Sequence, residues 1–220
     1  MLLIQYAFVA LLVGVLMAAV VSFVVMGLAK MRRTRRFAVA AHEHERRFFR
    51  DDPYDVSRRY IEFALISSGH SPRAHNVTDS RLAGMPVRAF DFRCELGHGP
   101  RRVTRHFSVA VIDAAGARGD LLMWHDSDAE FAPLAARESD GRLGAWSYRG
   151  DRALAAAVAV ACKQAEHLPV SIELRGSALM VAAPAGRSAS DYAVGFDDLE
   201  AIVGPVLSAG RPASAGADQS

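Results

Sequence analysis

The sequence predicts an α+β protein: one N-terminal transmembrane helix, then a cytoplasmic domain with a largely antiparallel sheet and two helices. Three observations indicate this class. Residues 2–29 form an uncharged apolar run, residues 87–113 hold two alternating segments joined by a turn, and residues 152–167 show helical spacing of apolar positions. The order of strands, helix, strands and helix is typical of an α+β fold.

The apolar run reads LLIQYAFVALLVGVLMAAVVSFVVMGLA and contains no charged side chain. About 20 residues suffice to cross the hydrocarbon core of a bilayer, so these 28 residues are long enough. A signal peptide would place positive charge before a shorter apolar core. Because the cations here follow the run, the sequence predicts a retained membrane helix over residues 1–29.

Five cations follow the run directly: Lys30, Arg32, Arg33, Arg35 and Arg36. Lys and Arg beside a membrane helix stay on the cytoplasmic side. They therefore predict a single-pass protein of the cell membrane with its amino terminus outside and its domain in the cytoplasm. Two interpretations remain open for their contact with the lipid bilayer. The cations set topology alone, or they also bind anionic lipid, at about 1 kcal/mol each.

Small residues recur every four positions along the membrane helix, at Ala10, Gly14, Ala18 and Ser22. Such a stripe lets two helices approach closely, which predicts a homodimer or a protein partner packed against this face. The alternative is chance, because small residues are common in membrane helices.

Charge and composition divide the chain into a membrane helix over residues 1–29, a basic stalk over 30–55, a domain over 56–209 and a disordered tail over 210–220. Residues 30–60 carry a net charge of +5, whereas residues 61–220 carry −3. A nucleic-acid-binding domain would have a basic globular surface. Nucleic acid is therefore not an expected partner, and the basic excess fits a membrane surface.

The first part of the domain is predicted to be mainly helix and loop. Residues 37–50 continue the membrane helix until the segment DDPYD, where a proline interrupts the pattern. Residues 56–66 predict another helix, which Gly69 ends. The segment SSGHSPRAHN is rich in turn-forming residues and predicts a loop.

The later elements alternate between strands and helices. Residues 87–96 and 103–113 predict two strands separated by the turn GHGP, and DLLMWH and GAWSYRG predict two shorter ones. Asp151 predicts the cap of a helix over residues 152–167. VSIELRG and ALMVAAPAG predict a hairpin. A last helix within residues 191–209 has a predicted buried face of Leu199, Ile202, Val203 and Val206.

The segment FRCELGHGPRRVTRHF, residues 92–107, concentrates histidine, cysteine, glutamate and arginine around the GHGP turn. A four-residue loop pairs Leu96 with Arg101 and Asp91 with His106. Because side chains alternate between faces of a strand, one face is predicted to be core: Phe90, Phe92, Cys94, Val103, Phe107, Val109 and Val111. The charged residues then line a solvated outer face as cross-strand pairs.

This geometry predicts neither a metal site nor a catalytic site in the hairpin. Cys94 faces the core and His106 faces out, so they do not share an ion, and zinc would require three or four convergent ligands. Asp91, His106 and Ser108 include the residue types of a hydrolase triad. A mid-strand serine lacks an exposed elbow and oxyanion donors, which argues against a nucleophile. No cofactor motif appears elsewhere.

Three segments resemble those of an uncharacterised actinobacterial single-pass membrane protein family. SSGHSPRAHNV, VRAFDFRCELGHG and VTRHFSVAVI are similar to the family segments G-x-x-R-x-x-N-V, A-F-D-Y-x-Y and T-x-H-F-x-V. Phe92 stands where tyrosine is usual, and the stalk lacks the segment A-x-x-x-G-W. The resemblance implies one amino-terminal helix, an arginine-rich stalk and an α+β domain, and it implies no activity.

The sequence therefore predicts a membrane-anchored cytoplasmic module that is not an enzyme and binds a protein or a small ligand. Two alternatives remain: an accessory subunit of a membrane complex, and an enzyme whose site the sequence does not reveal. A pocket with convergent polar groups would favour the enzyme, whereas a flat apolar patch would favour the binding module.

Overall fold

The computed structural model describes residues 2–43, 45–82, 84–113, 119–125, 138–163, 170–184, 202–204 and 206–207. It confirms the α+β class, with an N-terminal apolar helix, a large antiparallel sheet and several further helices. The predicted tail over residues 210–220 lies outside the described residues, as does Leu199 of the last predicted helix.

Helix α1 runs from Leu2 to Glu43 and contains a segment, Gln5–Leu28, that is long and apolar enough to cross a membrane. The helix was expected to reach residue 50, but this was wrong. Glu45 has a left-handed backbone with φ 54°, which ends the helix, and Arg47–Asp51 forms strand β1. The aromatic pair in RFFRD favours a strand, and this strand belongs to the sheet.

The end of α1 packs against the domain. Ala41 is buried, Phe37 packs against the hydrophobic core, and the Arg46 amide donates a hydrogen bond to the Ala41 carbonyl at 2.7 Å. Because α1 is continuous and its end packs on the domain, the direction of the helix relative to the domain is fixed at this contact. The apolar segment and the domain are therefore joined by a helix and not by a flexible linker.

The helix predicted over residues 56–66 is two single turns, α2 (Val56–Arg59) and α3 (Ala64–Ser67). Phe63 between them is extended, with φ −71° and ψ 136°. This break lets the rings of Tyr60 and Phe63 both enter the core, where their centroids lie 6.1 Å apart.

Strand β2 (His70–Leu82) replaces most of the loop predicted from SSGHSPRAHN. The turn-forming residues lie at two irregularities inside the strand. Ser71 and Asn76 have left-handed backbones, with φ 51° and 52°, at the two register shifts between β2 and its neighbour. The composition that indicated a loop therefore belongs to β-bulges, which insert an extra residue without ending a strand.

The remaining strands include the predicted ones. Their bounds are β3 Met85–Leu96, β4 Val103–Asp113, β5 Gly119–His125, β6 Gly141–Leu143, β7 Trp146–Gly150, β8 Ser171–Gly176 and β9 Ala178–Pro184. Within the described ranges, nine strands form one sheet in the order β1-β2-β3-β4-β9-β8-β5-β7-β6. Every pair is antiparallel.

Helix α4 runs from Arg152 to Ala161, and the Asp151 carboxylate accepts a hydrogen bond from the Leu154 amide at 2.7 Å. This is the cap that the sequence predicts. Residues 202–204 and 206–207 are helical, and Ile202, Val203 and Val206 are buried, as expected.

The sheet is covered on both faces. The front core joins one face of β3 and β4 to α2 and α3, through residues that include Val56, Phe63, Ile66, Phe90, Phe92, Cys94, Phe107, Val109 and Val111. The back core joins the opposite face to α4 and to residues 202–204 and 206–207, through residues that include Val87, Ala89, Ala110, Ile112, Ala155, Val158, Val203 and Val206.

Candidate functional site

The β3–β4 hairpin has a different register from the predicted one. Leu96 pairs with Val103 and not with Arg101, because Gly99–Arg101 forms a 3-10 turn that lengthens the connection. Asp91 consequently lies opposite Ser108, and Arg93 lies opposite His106. A shift of two residues preserves the faces of a strand, so the predicted division of side chains between the faces holds.

The predicted apolar face is the front core. Six of its seven predicted members are buried there: Phe90, Phe92, Cys94, Phe107, Val109 and Val111. Val103 is the exception, at 42% exposure. It lies at the end of the hairpin, where the connecting loop leaves the sheet.

The prediction that the opposite face of the hairpin is solvated was wrong for part of that face. Asp91 and Ser108 are each only 2% exposed, whereas His106 is exposed. Ala89 and Ala110, their neighbours on the same face, belong to the back core together with Ala155 and Val158 of α4. This core joins residues that are distant in the sequence, and alternation along a strand carries no information about them.

Asp91 is the centre of a buried polar row that crosses β2, β3 and β4. Its Oδ2 accepts a hydrogen bond from Nδ2 of Asn76 at 2.7 Å, and Nε2 of His75 lies 3.8 Å from the same oxygen. Ser108 faces it from β4. Asn76 reaches Asp91 because it occupies the second β-bulge.

This row does not have the geometry of a hydrolase triad. In a triad the histidine lies between the carboxylate and the serine, so that it can accept the serine proton. Here Asp91 lies on the middle strand, between His75 and Ser108. His106 is two residues from Ser108 on β4 and faces Arg93. The three residues considered from sequence are therefore not arranged for proton transfer from Ser108.

The two cysteines are buried thiols. Burial raises the pKa of Cys94 to about 11 and the pKa of Cys162 to about 12. Cys94 lies in the front core, on the opposite face from His106, as alternation predicts. Among the described residues, no group of three or more His, Cys, Asp or Glu side chains is placed to hold a metal ion.

A polar groove of about 460 Å³ lies at the end of the sheet, and sequence reasoning missed it. Its floor is a row across four strands, Asp113, Ala178, Arg175 and Asp120. Ala178 contributes only a methyl group, which leaves space between its charged neighbours. The wall is the segment around α2, with Arg59, Tyr60 and Glu62.

Glu173 is a buried carboxylate beside the groove that holds two of its neighbouring elements together. It is 3% exposed, and its carboxylate accepts hydrogen bonds from the Ala64 amide at 2.7 Å and from Nε of Arg175 at 2.8 Å. The first bond ties α3 to the sheet, and the second orients one of the groove arginines. A buried carboxylate is tolerated because both oxygens have partners.

Arg88 supports the wall of the groove. Its Nη1 donates a hydrogen bond to the Tyr60 hydroxyl at 2.9 Å, and its guanidinium lies 4.9 Å from the centre of the Tyr54 ring. Burial raises the pKa of Tyr60, so its hydroxyl stays neutral. Arg59 and Arg88 approach Asp113 at 3.7 and 3.8 Å, which are long distances for ion pairs.

The residues that the sequence predicts to lie in or beside a membrane are on α1. Ala10, Gly14, Ala18 and Ser22 are exposed on the apolar segment, and Arg32 and Arg35 are exposed beyond it. The side chains of Lys30, Arg33 and Arg36 lie outside the described part of the structure. The backbone places all five cations on the same helix, after the segment Gln5–Leu28.

No family model matches the chain, and no curated protein matches it. A solved structure with a similar fold is that of the mycobacterial trehalose monomycolate transport factor A, TtfA. The similarity covers 82% of this chain and 96% of that one, with a TM-score of 0.55 and 14% sequence identity. At this identity the likeness concerns the fold. Its actinobacterial source agrees in part with the sequence resemblance.

Proposed function

We propose that the chain is a membrane-anchored, non-enzymatic accessory factor that acts by binding another membrane protein. The observation that carries this proposal is the fold, which is similar over 82% of the chain to a solved structure described as a transport factor. Fold alone does not determine function, so the proposal rests on the fold together with the anchor and the surface chemistry.

The anchor supports the proposal. The apolar segment Gln5–Leu28 continues as one helix to Glu43, and that helix packs against the domain. A domain held in this way stays close to the bilayer, in reach of other membrane proteins. The five cations after the segment favour a cytoplasmic domain, and the stripe of Ala10, Gly14, Ala18 and Ser22 offers a face for a partner helix.

The surface chemistry favours binding over catalysis. Asp91 and Ser108 are buried, and their order across the strands does not fit a triad. The open groove carries loose ion pairs, such as Arg59 with Asp113 at 3.7 Å. Exposed pairs of this kind contribute little to stability and can exchange for pairs with a partner protein.

Purification of the full chain in mild detergent tests the proposal. We expect a membrane transport protein to be enriched by the tagged chain and not by an untagged control. A variant with residues 5–28 replaced by an unrelated apolar helix distinguishes contact through the membrane helix from contact through the domain. A partner bound by the domain should still be enriched by this variant, whereas a partner bound by the helix should be lost. Absence of any enriched membrane protein with the wild-type chain contradicts the proposal.

A reporter fused to the carboxyl terminus tests the orientation. We expect a reporter that works only in the cytoplasm to be active, and one that works only outside the membrane to be inactive. Replacement of the five cations from Lys30 to Arg36 by glutamine should weaken this preference, because they set the charge difference across the segment. Activity of the external reporter in the unmodified chain contradicts the orientation.

A further inference from the structure

We propose that the exposed end of the β3–β4 hairpin, on the face that carries His106, binds an acidic segment of a partner protein, an inference that rests on the function proposed above. The observation that carries it is a row of basic side chains across three strands. Arg73 on β2 lies opposite Arg93 on β3, and Arg93 lies opposite His106 on β4. Side chains that pair across strands share one face of the sheet.

The pairing of Arg73 with Arg93 is unfavourable for the domain on its own. Cβ atoms directly opposite each other in an antiparallel pair are about 4.5–5.5 Å apart, and like charges in such positions are destabilising. Arg73 and His106 are exposed, and the Arg93 side chain is 43% exposed, so all three are accessible to a partner. Carboxylates of a bound segment would offset the repulsion between the two arginines.

The observed register creates this row. A four-residue connection would place His106 opposite the carboxylate of Asp91. The 3-10 turn shifts the register by two residues and places His106 opposite Arg93 instead. Strand β2, which was predicted as a loop, brings Arg73 to the other side of Arg93. The sequence therefore predicted pairs of opposite charge, whereas the structure has three basic side chains in succession.

Arg102 and Glu95 extend the row towards the end of the hairpin. The Glu95 carboxylate lies 2.6 Å from Arg102 and 3.5 Å from Arg93. A guanidinium has five N–H donors, and these two arginine side chains are 52% and 43% exposed, so both retain donors for a further carboxylate. The basic surface consists of Arg73, Arg93, Glu95, Arg102 and His106. Its three arginines and one glutamate give it a net charge of +2 when His106 is neutral.

A recess of about 360 Å³ lies at the end of the basic surface, between the start of β2 and the β3–β4 connection. It is lined by His70, Gly97, His98, Gly99 and Arg102. The two imidazole rings have centroids 4.9 Å apart. Imidazole and guanidinium N–H groups are hydrogen-bond donors, so the recess offers a place for one carboxylate side chain of the bound segment.

The charge of the rest of the domain favours a protein segment over an anionic bilayer as the occupant. Residues 61–220 carry −3 in total, so the basic surface is opposite in sign to its surroundings. A broad anionic surface would also meet the acidic residues and be repelled by them. A narrow acidic segment contacts the local positive charge, which steers its association. Arginine is enriched at protein interfaces, because its planar guanidinium binds a carboxylate through two hydrogen bonds.

The test uses the full chain in a neutral detergent, with a fluorescein-labelled oligoglutamate peptide as the probe. Fluorescence anisotropy measures binding to wild type, to the double variant Arg73→Gln, Arg93→Gln, and to a control, Arg81→Gln, Arg149→Gln. The control removes the same charge from exposed positions outside the basic surface. We expect saturable binding to wild type and to the control. The double variant should bind about 10-fold more weakly at low salt, because two exposed ion pairs with the peptide are lost.

Thermal midpoints verify that each variant is folded. The proposal is overturned if wild type shows no saturable binding, if the double variant binds as wild type does, or if the control loses binding equally. Displacement of the peptide by a short-chain phosphatidylglycerol at equal or lower concentration would assign the basic surface to anionic lipid and would also overturn it.

The co-purification described above separates this inference from the proposed function. A membrane protein enriched by wild type and by the control, and lost from the double variant, supports both. Equal enrichment by all three proteins leaves the proposed function intact and overturns the assignment of the basic surface. Absence of enrichment by wild type contradicts the proposed function itself.

Discussion

The two faces of the β3–β4 hairpin differ in how far they are covered. The front face is apolar through its middle, where Phe90, Phe92 and Cys94 meet Phe107 and Val109 in one core. The polarity and the exposure of the back face change along the hairpin. It is apolar at Ala89 and Ala110, polar but buried at Asp91 and Ser108, and exposed at His106.

The difference shows that coverage, and not residue type, sets the environment of a polar side chain. Asp91 and His106 share one face of the hairpin, yet one is buried and the other is exposed. The back core, which also includes Ala155, Val158, Val203 and Val206, takes in Ala89 and Ala110 on this face but does not include Asp91, Ser108 or His106. The row containing Asp91 lies at the boundary, where a carboxylate can be buried if it has a hydrogen-bond donor.

The largest expected effect is on the front face. Phe90→Ala should lower the free energy of unfolding by about 3–5 kcal/mol, because it removes a fully buried aromatic ring from the core. Chemical denaturation measures the change. Val103→Ala is the control: it lies on the same face but is largely exposed, and it should have a much smaller effect. Equal losses at Phe90 and Val103 would contradict the assigned front core.

The next effect is on the buried part of the back face. Asp91→Ala should cost about 1–3 kcal/mol, because it leaves the amide group of Asn76 buried without its acceptor. Thermal or chemical unfolding measures the loss. Asp91→Asn keeps the shape and one acceptor oxygen, and should retain more stability than alanine does. A loss from Asp91→Ala no larger than that of an exposed residue would mean that this face is open to solvent.

The next prediction uses the Cys94 thiol to test whether the front core is buried. Cys94→Ser should cost about 1–3 kcal/mol, because it places a hydroxyl in an apolar environment. Burial raises the pKa of the Cys94 thiol from the ordinary 9.0 to about 11, so the folded state holds its proton more tightly than the unfolded state does. The stabilisation is complete below pH 9 and is lost as pH rises through 11.

Denaturation between pH 8 and pH 11 measures this dependence. Cys162 behaves in the same way, since burial raises the pKa of its thiol to about 12. A Cys94→Ala, Cys162→Ala double variant should lose stability less steeply with rising pH than wild type. An identical slope in both proteins would show that these thiols are not buried as the structure places them.

The smallest expected effect is at the exposed end of the back face. His106→Ala should change the free energy of unfolding by no more than roughly ±0.5 kcal/mol, as is usual for surface positions. Its comparison with Asp91→Ala measures the boundary between covered and open surface on one face. A loss at His106 as large as that at Asp91 would place the boundary further along the hairpin.

Most of the architecture could be predicted from local patterns. The strands with alternating residues, the Asp151 cap and the hairpin around Gly176 depend on neighbours in the sequence, and the structure has them. The same alternation separated Cys94 from His106. The register was wrong by two residues, because the 3-10 turn at Gly99–Arg101 has no signal distinct from that of a short loop.

What the sequence did not predict depends on distant contacts. The hydrogen bond that Asp91 accepts from Asn76 requires strand β2, which was predicted as a loop, and the groove requires Ala178 to lie between Asp113 and Arg175 across three strands. Strand β2 was missed because Gly, Ser and Pro indicate loops on average, while here Ser71 and Asn76 occupy bulges. Bulge positions are fixed by pairing with β3, which is a long-range property.

The central claim is that the back face of the hairpin is a covered structural surface at Ser108 and open only beyond it. Maleimide labelling of Ser108→Cys and His106→Cys in the folded chain tests this most directly, because the native thiols Cys94 and Cys162 are both buried. We expect His106→Cys to label rapidly, and Ser108→Cys to label only after denaturant is added. Rapid labelling of both cysteines in the folded chain would contradict the account and reopen Ser108 as a reactive position.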